Sequence, residues 1–202
     1  MQERKEFLSD KTQFESLSLI QHNILLTEDD ARLKQEAELK EYERLNHKYH
    51  LNKVSYELPI CAILTGYNNN ADFRIELNLN SIFSQNYNNF FVALVNDASD
   101  DGSDEVYRKY FAFHNLSSDK FVYIENKVRK TALENIYDLI MNHCSEDSIV
   151  FNIDADDELI GTNVFKVFNA EYQRTKGGVL YSSIYRYIQG VFIGFNQTSE
   201  YT

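Results

Sequence analysis

Four short apolar runs, each ending in polar residues, limit what this chain can fold into more than any other feature. "ICAIL" (60–64), "FFVALV" (90–95), "KFVYIE" (120–125) and "SIVFNI" (148–153) read as strands. Helical spacing fills the gaps between them. Ala71, Ile75, Leu79, Ile82 and Phe83 follow the first run, and Val106, Tyr110 and Phe113 the second. Leu133, Ile136, Tyr137 and Ile140 follow the third and are expected on one buried helical face. After the fourth, Thr162 is expected to cap a helix carrying Val164, Phe168 and Tyr172, and "GVLYSSIYRYI" (178–188) reads as strand material. Strand–helix alternation with loops of ordinary length predicts βαβ units and a mostly parallel α/β sheet with flanking helices. Ligands of such sheets bind beyond the carboxyl ends of the strands.

Polar residues collect at those ends. The first run leads into Thr65-Gly66-Tyr67-Asn68 and the second into Asn96-Asp97. The third leads into Glu125-Asn126 and then Lys127 to Lys130. The fourth leads into Asp154-Ala155-Asp156-Asp157-Glu158, four carboxylates in five positions with no lysine or arginine beside them in sequence. A single acid after a strand is commonly a turn or N-cap residue, but a cap needs only one. Carboxylate oxygens suit hard cations such as Mg²⁺ or Mn²⁺, which bind through one or two protein carboxylates plus substrate phosphates. A divalent cation would offset the repulsion within the cluster.

Other chemistries lose their support. Neither GxGxxG after a strand nor GxxxxGK[ST] occurs, which removes the usual dinucleotide and P-loop fingerprints. Neither acidic segment is an EF-hand: counted from Asp97 the twelfth residue is Arg108, and counted from Asp154 it is Phe165, where a bidentate Glu is required. A net charge of −11 over 202 residues argues against general affinity for nucleic acid or anionic membranes. No stretch approaches 18 apolar residues, and the polar start "MQERKEFLSD" is unlike a signal peptide, so the expected location is cytoplasmic. Cys61 and Cys144 are expected to be separate buried thiols rather than part of a disulfide framework or zinc site.

Residues 1–57 form a different region, expected to be a helical N-terminal extension. Thr27 and Asp30 match a capping box, and Leu33, Ala37, Tyr42, Leu45 and Tyr49 make only a thin apolar stripe, as on a solvated helix.

The motifs together resemble family 2 glycosyltransferases of GT-A (Rossmann-like) fold. The residues that carry the resemblance are "ILTGYNNN", "SIFSQNY" (81–87), "LVNDASDDGS" (94–103), "NKVRKTALEN" (126–135) and "FNIDADDEL" (151–159), in order and spacing, over about residues 58–185. The resemblance implies a nucleotide-sugar donor, a UDP-sugar foremost, a divalent metal (Mn²⁺ or Mg²⁺), an inverting transfer and a glycan, protein or lipid acceptor. By position it implies donor binding by Thr65, Tyr67 and Asn68, with Tyr67 stacking on the base, and a hydrogen bond from the base to Asp97. It puts Arg129 or Lys130 near the base or diphosphate. Asp154 and Asp156 become the D-x-D that holds ribose and metal, with Asp157 as an alternative ligand. Asn96 replaces the first acid of the family's Asp-Asp pair, and Ala98 replaces its usual glycine. Residues 58–202 are expected to be a nucleotide-sugar-binding domain whose acceptor side is truncated, with no catalytic base assignable. The alternative is a non-catalytic nucleotide-sugar-binding module of the same fold.

Overall fold

The structure, a computed structural model, describes residues 28–54, 56–175, 184–188 and 191–195. The chain divides into two units, residues 1–45 and 46–202. Helix α1 (Glu28–Tyr49) carries His47 and Lys48 in its last turn, where positive charge suits the exposed carbonyls. Its expected cap, Thr27, lies outside the described residues.

In the second unit β1 (Ile60–Gly66), β2 (Phe90–Asn96), β3 (Phe121–Glu125) and β4 (Ile149–Asp154) form one sheet in the order β3-β2-β1-β4. Every pairing is parallel. Helices α2 (Arg74–Phe83), α3 (Ser103–Phe113) and α4 (Ala132–His143) follow the first three strands, and α5 (Val164–Thr175) follows β4. This is the expected Rossmann-like α/β arrangement. The chain builds outward from β1 to β3 and then returns to the other side of β1, so the strand order reverses between β1 and β4. Such a switch point opens a crevice beyond the strand ends.

The β period of two splits the core. Ile60, Ala62 and Leu64 of β1 pack with Ile75, Leu79 and Ile82 of α2, Tyr107 and Tyr110 of α3 and Phe165 of α5. Cys61 and Ile63 face the other way, with Ala93 and Val95 of β2, under Leu139 of α4. β4 is covered on one face only, alternating buried and exposed residues from Ile149 to Asp154.

Three expectations are corrected. Leu133 and Tyr137 do not face the core; they are exposed, and α4 instead buries Asn135 and Leu139 with Ile136 and Ile140 partly covered. The helix is turned by polar anchoring: the Thr131 hydroxyl accepts the Glu134 N–H at 3.1 Å, and Asn135 bonds to Asn126 at 2.9 Å. Thr162 does not cap α5. The Val164 and Phe165 N–H groups donate to Gln85 Oε1, at 2.9 and 3.3 Å, from just beyond α2. Of the span 178–188, residues 178–183 lie outside the described residues, while β5 (Ile184–Ile188) pairs antiparallel with β6 (Val191–Phe195).

The third correction concerns the cysteines. Cys61 in β1 and Cys144, the residue that ends α4, are joined in a disulfide with Cα atoms 5.6 Å apart and a sequence separation of 83. Packing of α4 across β1 brings them together, and no local spacing announces it. A crosslink of that span removes denatured-state entropy worth about 4.5 kcal/mol in the loop-closure account. Thiol titration of the denatured protein should therefore find no free thiol before reduction and two after. Reduction should lower the urea midpoint. Two titratable thiols in unreduced protein would contradict the bond.

Candidate functional site

Strand register assembles the polar rim. Thr65 stands beside Asp154, Gly66 beside Asn96, and Asn96 beside Glu125. The pattern continues past the strands: Asp97 N–H donates to the Gly66 carbonyl at 2.7 Å, Asn126 N–H to Asn96 at 2.9 Å, and Ala155 N–H to Thr65 at 3.3 Å. Gly66 sits where backbones converge, since a Cβ there would meet the Tyr107 hydroxyl at 2.8 Å and the Ala155 Cβ at 3.2 Å.

Asp97 is the most enclosed acid of the rim, 5% exposed. Its Oδ1 accepts from Asn126 Nδ2 at 2.7 Å and from the Lys130 N–H at 2.9 Å. Burial alone would raise its pKa. The hydrogen bonds from Asn126, Lys130 and Asn135, with the nearby Arg129 charge, outweigh burial and hold the carboxyl below its ordinary value. Next to it Ala98 has φ 56°, in the left-handed region where glycine is at ease, which accounts for glycine being usual at this position. Asn96, in the position of the missing first acid, is buried and accepts a hydrogen bond from the Ser99 hydroxyl.

The remaining expected donor-binding residues are distributed as follows. The Arg129 guanidinium lies 3.5 Å from the centre of the Tyr67 ring, so these two meet across the rim in a cation–π stack. Asn68 spends its amide on Asp100, donating at 2.9 Å and accepting the Asp100 N–H at 3.1 Å. Lys130 sends its Nζ to Asp138, 2.7 Å away, and reaches Asp97 only through its backbone. Thr65 is half-buried at the end of β1.

Asp154, Asp156 and Asp157 all sit exposed on the turn that ends β4. Desolvation within the turn, then the charges of Asp156 and Asp154, push the Asp157 carboxyl above its ordinary value. The acids are not wholly uncompensated, because folding brings Arg74 Nη1 to 3.5 Å from Asp156 Oδ2. Among the described residues no three His, Cys, Asp or Glu side chains gather as a ready-made metal cage.

The turn is gripped from below by α2 and the residues just after it. Asn78 Nδ2 donates to the carbonyls of Asp154 at 3.1 Å and Asp157 at 2.6 Å, and Ser81 Oγ accepts the Leu159 N–H at 3.0 Å. Gln85 Nε2 donates to the Gly161 carbonyl at 2.7 Å. Sequence reasoning took Ser81 and Gln85 only as motif letters and passed over Arg74 and Asn78. The available signal was the spacing of Arg74, Asn78 and Ser81, i, i+4 and i+7, which puts three polar side chains on one face of a helix whose other face is apolar, with Gln85 just beyond its end.

The fold is a parallel α/β sheet of GT-A type, with its polar strand ends gathered at a switch point. Residues 61–200 match glycosyl transferase family 2, and the chain belongs to that family. Among solved structures, a mannosyltransferase from Pyrobaculum calidifontis, determined with GDP-Man and Mn²⁺, is similar at 22% identity and a TM-score of 0.51. The match covers 68% of this chain and 40% of that one. TarS of S. aureus is similar at 20% identity and a TM-score of 0.47, over 63% of this chain and 21% of that one. These likenesses are of fold. This chain spans less than half the length of either protein. No curated protein matches it.

The Asp97 anchor has a measurable signature. Removing the carboxylate in Asp97→Ala strands the Asn126 and Lys130 donors and should cost about 3 kcal/mol at pH 7 by chemical denaturation. Because the folded carboxyl titrates below its unfolded value, the stabilisation is present above that unfolded value, about 3.9, and is lost as pH falls through the lower folded one. The gap between wild type and variant should therefore narrow on acidification below about pH 4. An unchanging gap would count against this role for the charge.

Proposed function

We propose that this chain is the donor-binding part of a metal-dependent glycosyltransferase that uses a nucleoside diphosphate sugar, foremost a UDP-sugar, in an inverting transfer. The observation that carries the proposal is the register of β1 against β4. It puts the acidic turn, Asp154 to Asp157, beside Thr65 and next to the Tyr67 and Asp97 end of the crevice.

The roles follow from chemistry. Tyr67, already stacked by Arg129, offers a flat face for the base, with Thr65 and Asn68 around it and Asp97 accepting a hydrogen bond from a ring N–H. Asp154 lies where it can bind ribose and share a cation with Asp156, with Asp157 the alternative ligand. The residues fit an Mg²⁺ or Mn²⁺ site of the open kind, in which one or two carboxylates act with phosphate oxygens and water. Desolvation of the Asp157 carboxylate, and after it repulsion from Asp156 and Asp154, is the local cost that a cation would relieve. Bound there, the metal would neutralise charge on the departing diphosphate. Arg129 adds positive charge on the opposite bank, while Lys130, its ammonium paired with Asp138, contributes its backbone N–H to Asp97.

An inverting transfer also needs a general base at the acceptor hydroxyl, and we assign neither base nor acceptor class. Binding without turnover would favour the alternative, a nucleotide-sugar-binding module. No helix among the described residues is long and apolar enough to cross a membrane. The expected cytoplasmic location sits poorly with the Cys61–Cys144 disulfide, because a reducing cytosol holds such pairs as thiols. The redox state of that pair in cells decides between the two.

Titration calorimetry with UDP, with and without Mn²⁺, tests the donor site. Wild type should bind UDP in a Mn²⁺-dependent way and Asp156→Ala should lose that dependence. Tyr67→Ala should weaken binding about tenfold, the worth of one base stack. UDP binding indifferent to both Mn²⁺ and Asp156→Ala would sink the assignment.

A further inference from the structure

We infer that Asn78 is a positioning residue for the acidic turn. Its side-chain amide, with the Ser81 hydroxyl and the Gln85 amide, would hold the turn in its cation-binding shape before any cation arrives. The inference deepens the donor-site proposal and rests on it for the cation.

Asn78 is fully buried on α2, among residues whose neighbours Ile75, Leu79 and Ile82 serve the core. Its amide hydrogens reach both ends of the Asp154–Asp157 turn, the Asp154 carbonyl at 3.1 Å and the Asp157 carbonyl at 2.6 Å. The turn's own closing bond, Asp157 N–H to the Asp154 carbonyl at 3.0 Å, lies between these two contacts. The contacts also fix the amide's orientation, since a flipped amide would aim its oxygen at two carbonyl oxygens. Among the described residues, the buried Asn78 Oδ1 has no hydrogen-bond partner. A leucine of the same branched shape would carry no such orphan, so an asparagine is a poor choice for packing alone. What it adds is the pair of bonds to the turn.

Ser81 and Gln85 extend the grip. The Ser81 hydroxyl donates to the Asn78 carbonyl at 2.7 Å, which turns its oxygen to the Leu159 N–H. Gln85 holds the Gly161 carbonyl and caps α5 through Val164 and Phe165. Apart from the long Arg74 contact to Asp156, the segment from Asp154 to Phe165 thus hangs from α2 and from Gln85 just beyond it by side chains that carry no charge. Neutral donors and acceptors can hold like-charged carboxylates close together without occupying their oxygens, which stay available to a cation.

The test compares Asn78→Leu with wild type, using Asn169→Leu as control. Asn169 is a buried asparagine on α5 that clasps the Tyr56 carbonyl and the Leu58 N–H, outside the rim. Amide exchange is followed in protein without cation, and UDP affinity is then measured in Mn²⁺. In Asn78→Leu the amides of Ala155, Asp157 and Leu159 should exchange about tenfold faster, with a comparable loss of Mn²⁺-dependent UDP affinity. Asn169→Leu should melt lower yet leave both unchanged. Unchanged exchange at 155–159 in a folded Asn78→Leu would overturn the inference, as would an equal effect from Asn169→Leu. Should Asn78→Leu not fold, Ser81→Ala removes the acceptor for Leu159, along with the hydroxyl's bond to the Asn78 carbonyl, and must speed exchange at the Leu159 amide for the inference to stand. If wild type itself binds no UDP, the donor-site proposal fails, while the exchange arm still decides whether α2 holds the turn.

Discussion

The pairing of β4 alongside β1 is the constraint on which the rest depends. Without it the acidic turn would be a charged loop some ninety residues along the chain from Thr65. With Asp154 in register beside Thr65, the turn becomes one wall of a crevice whose other wall is the end of β2. Parallel pairing of this kind is possible only because α2, α3 and α4 each carry the chain back to the start of the next strand. The helices bury the sheet and also supply the rim's polar supports, Asn78 from α2 and Asn135 from α4.

Much of this was legible in the sequence, for definable reasons. β1 and β2 are continuous apolar runs because they are covered on both faces, and the expected 60–64 and 90–95 differ from the structure by a residue or two at the carboxyl end. The polar residues after each run lie on one rim because parallel strands must all point the same way. Local pattern cannot tell which side of a helix meets the sheet when polar anchors compete with an apolar stripe. That is why Leu133 and Tyr137 were expected inside and lie outside. Likewise a cap supplied by a different helix, Gln85 to α5, leaves no trace at Thr162. The disulfide partner of Cys61 and the Arg74 neighbour of Asp156 are 83 and 82 residues away in sequence and become neighbours only in the fold.

The rim follows a consistent electrostatic logic. Asp97 is buried and satisfied, so its charge is held firmly by neutral donors and backbone. The acids of the β4 turn are exposed and mutually repelling, with one long contact to Arg74. One bank therefore presents a fixed carboxylate with an aromatic and a guanidinium, and the other a cluster of carboxylates in want of a cation. A base with an attached diphosphate has the complementary order of groups. The chain belongs to glycosyl transferase family 2.

The central claim is that the turn after β4 and the aromatic end of the crevice form one metal-dependent nucleotide site. Paramagnetic broadening by Mn²⁺ in the amide spectrum of the folded chain, recorded with and without UDP, addresses that claim most directly. The account predicts broadening centred on residues 154–158, with UDP strengthening it and extending its reach to Tyr67 and Asp97. Broadening confined to the acidic helix α1, or unaffected by UDP, would contradict it.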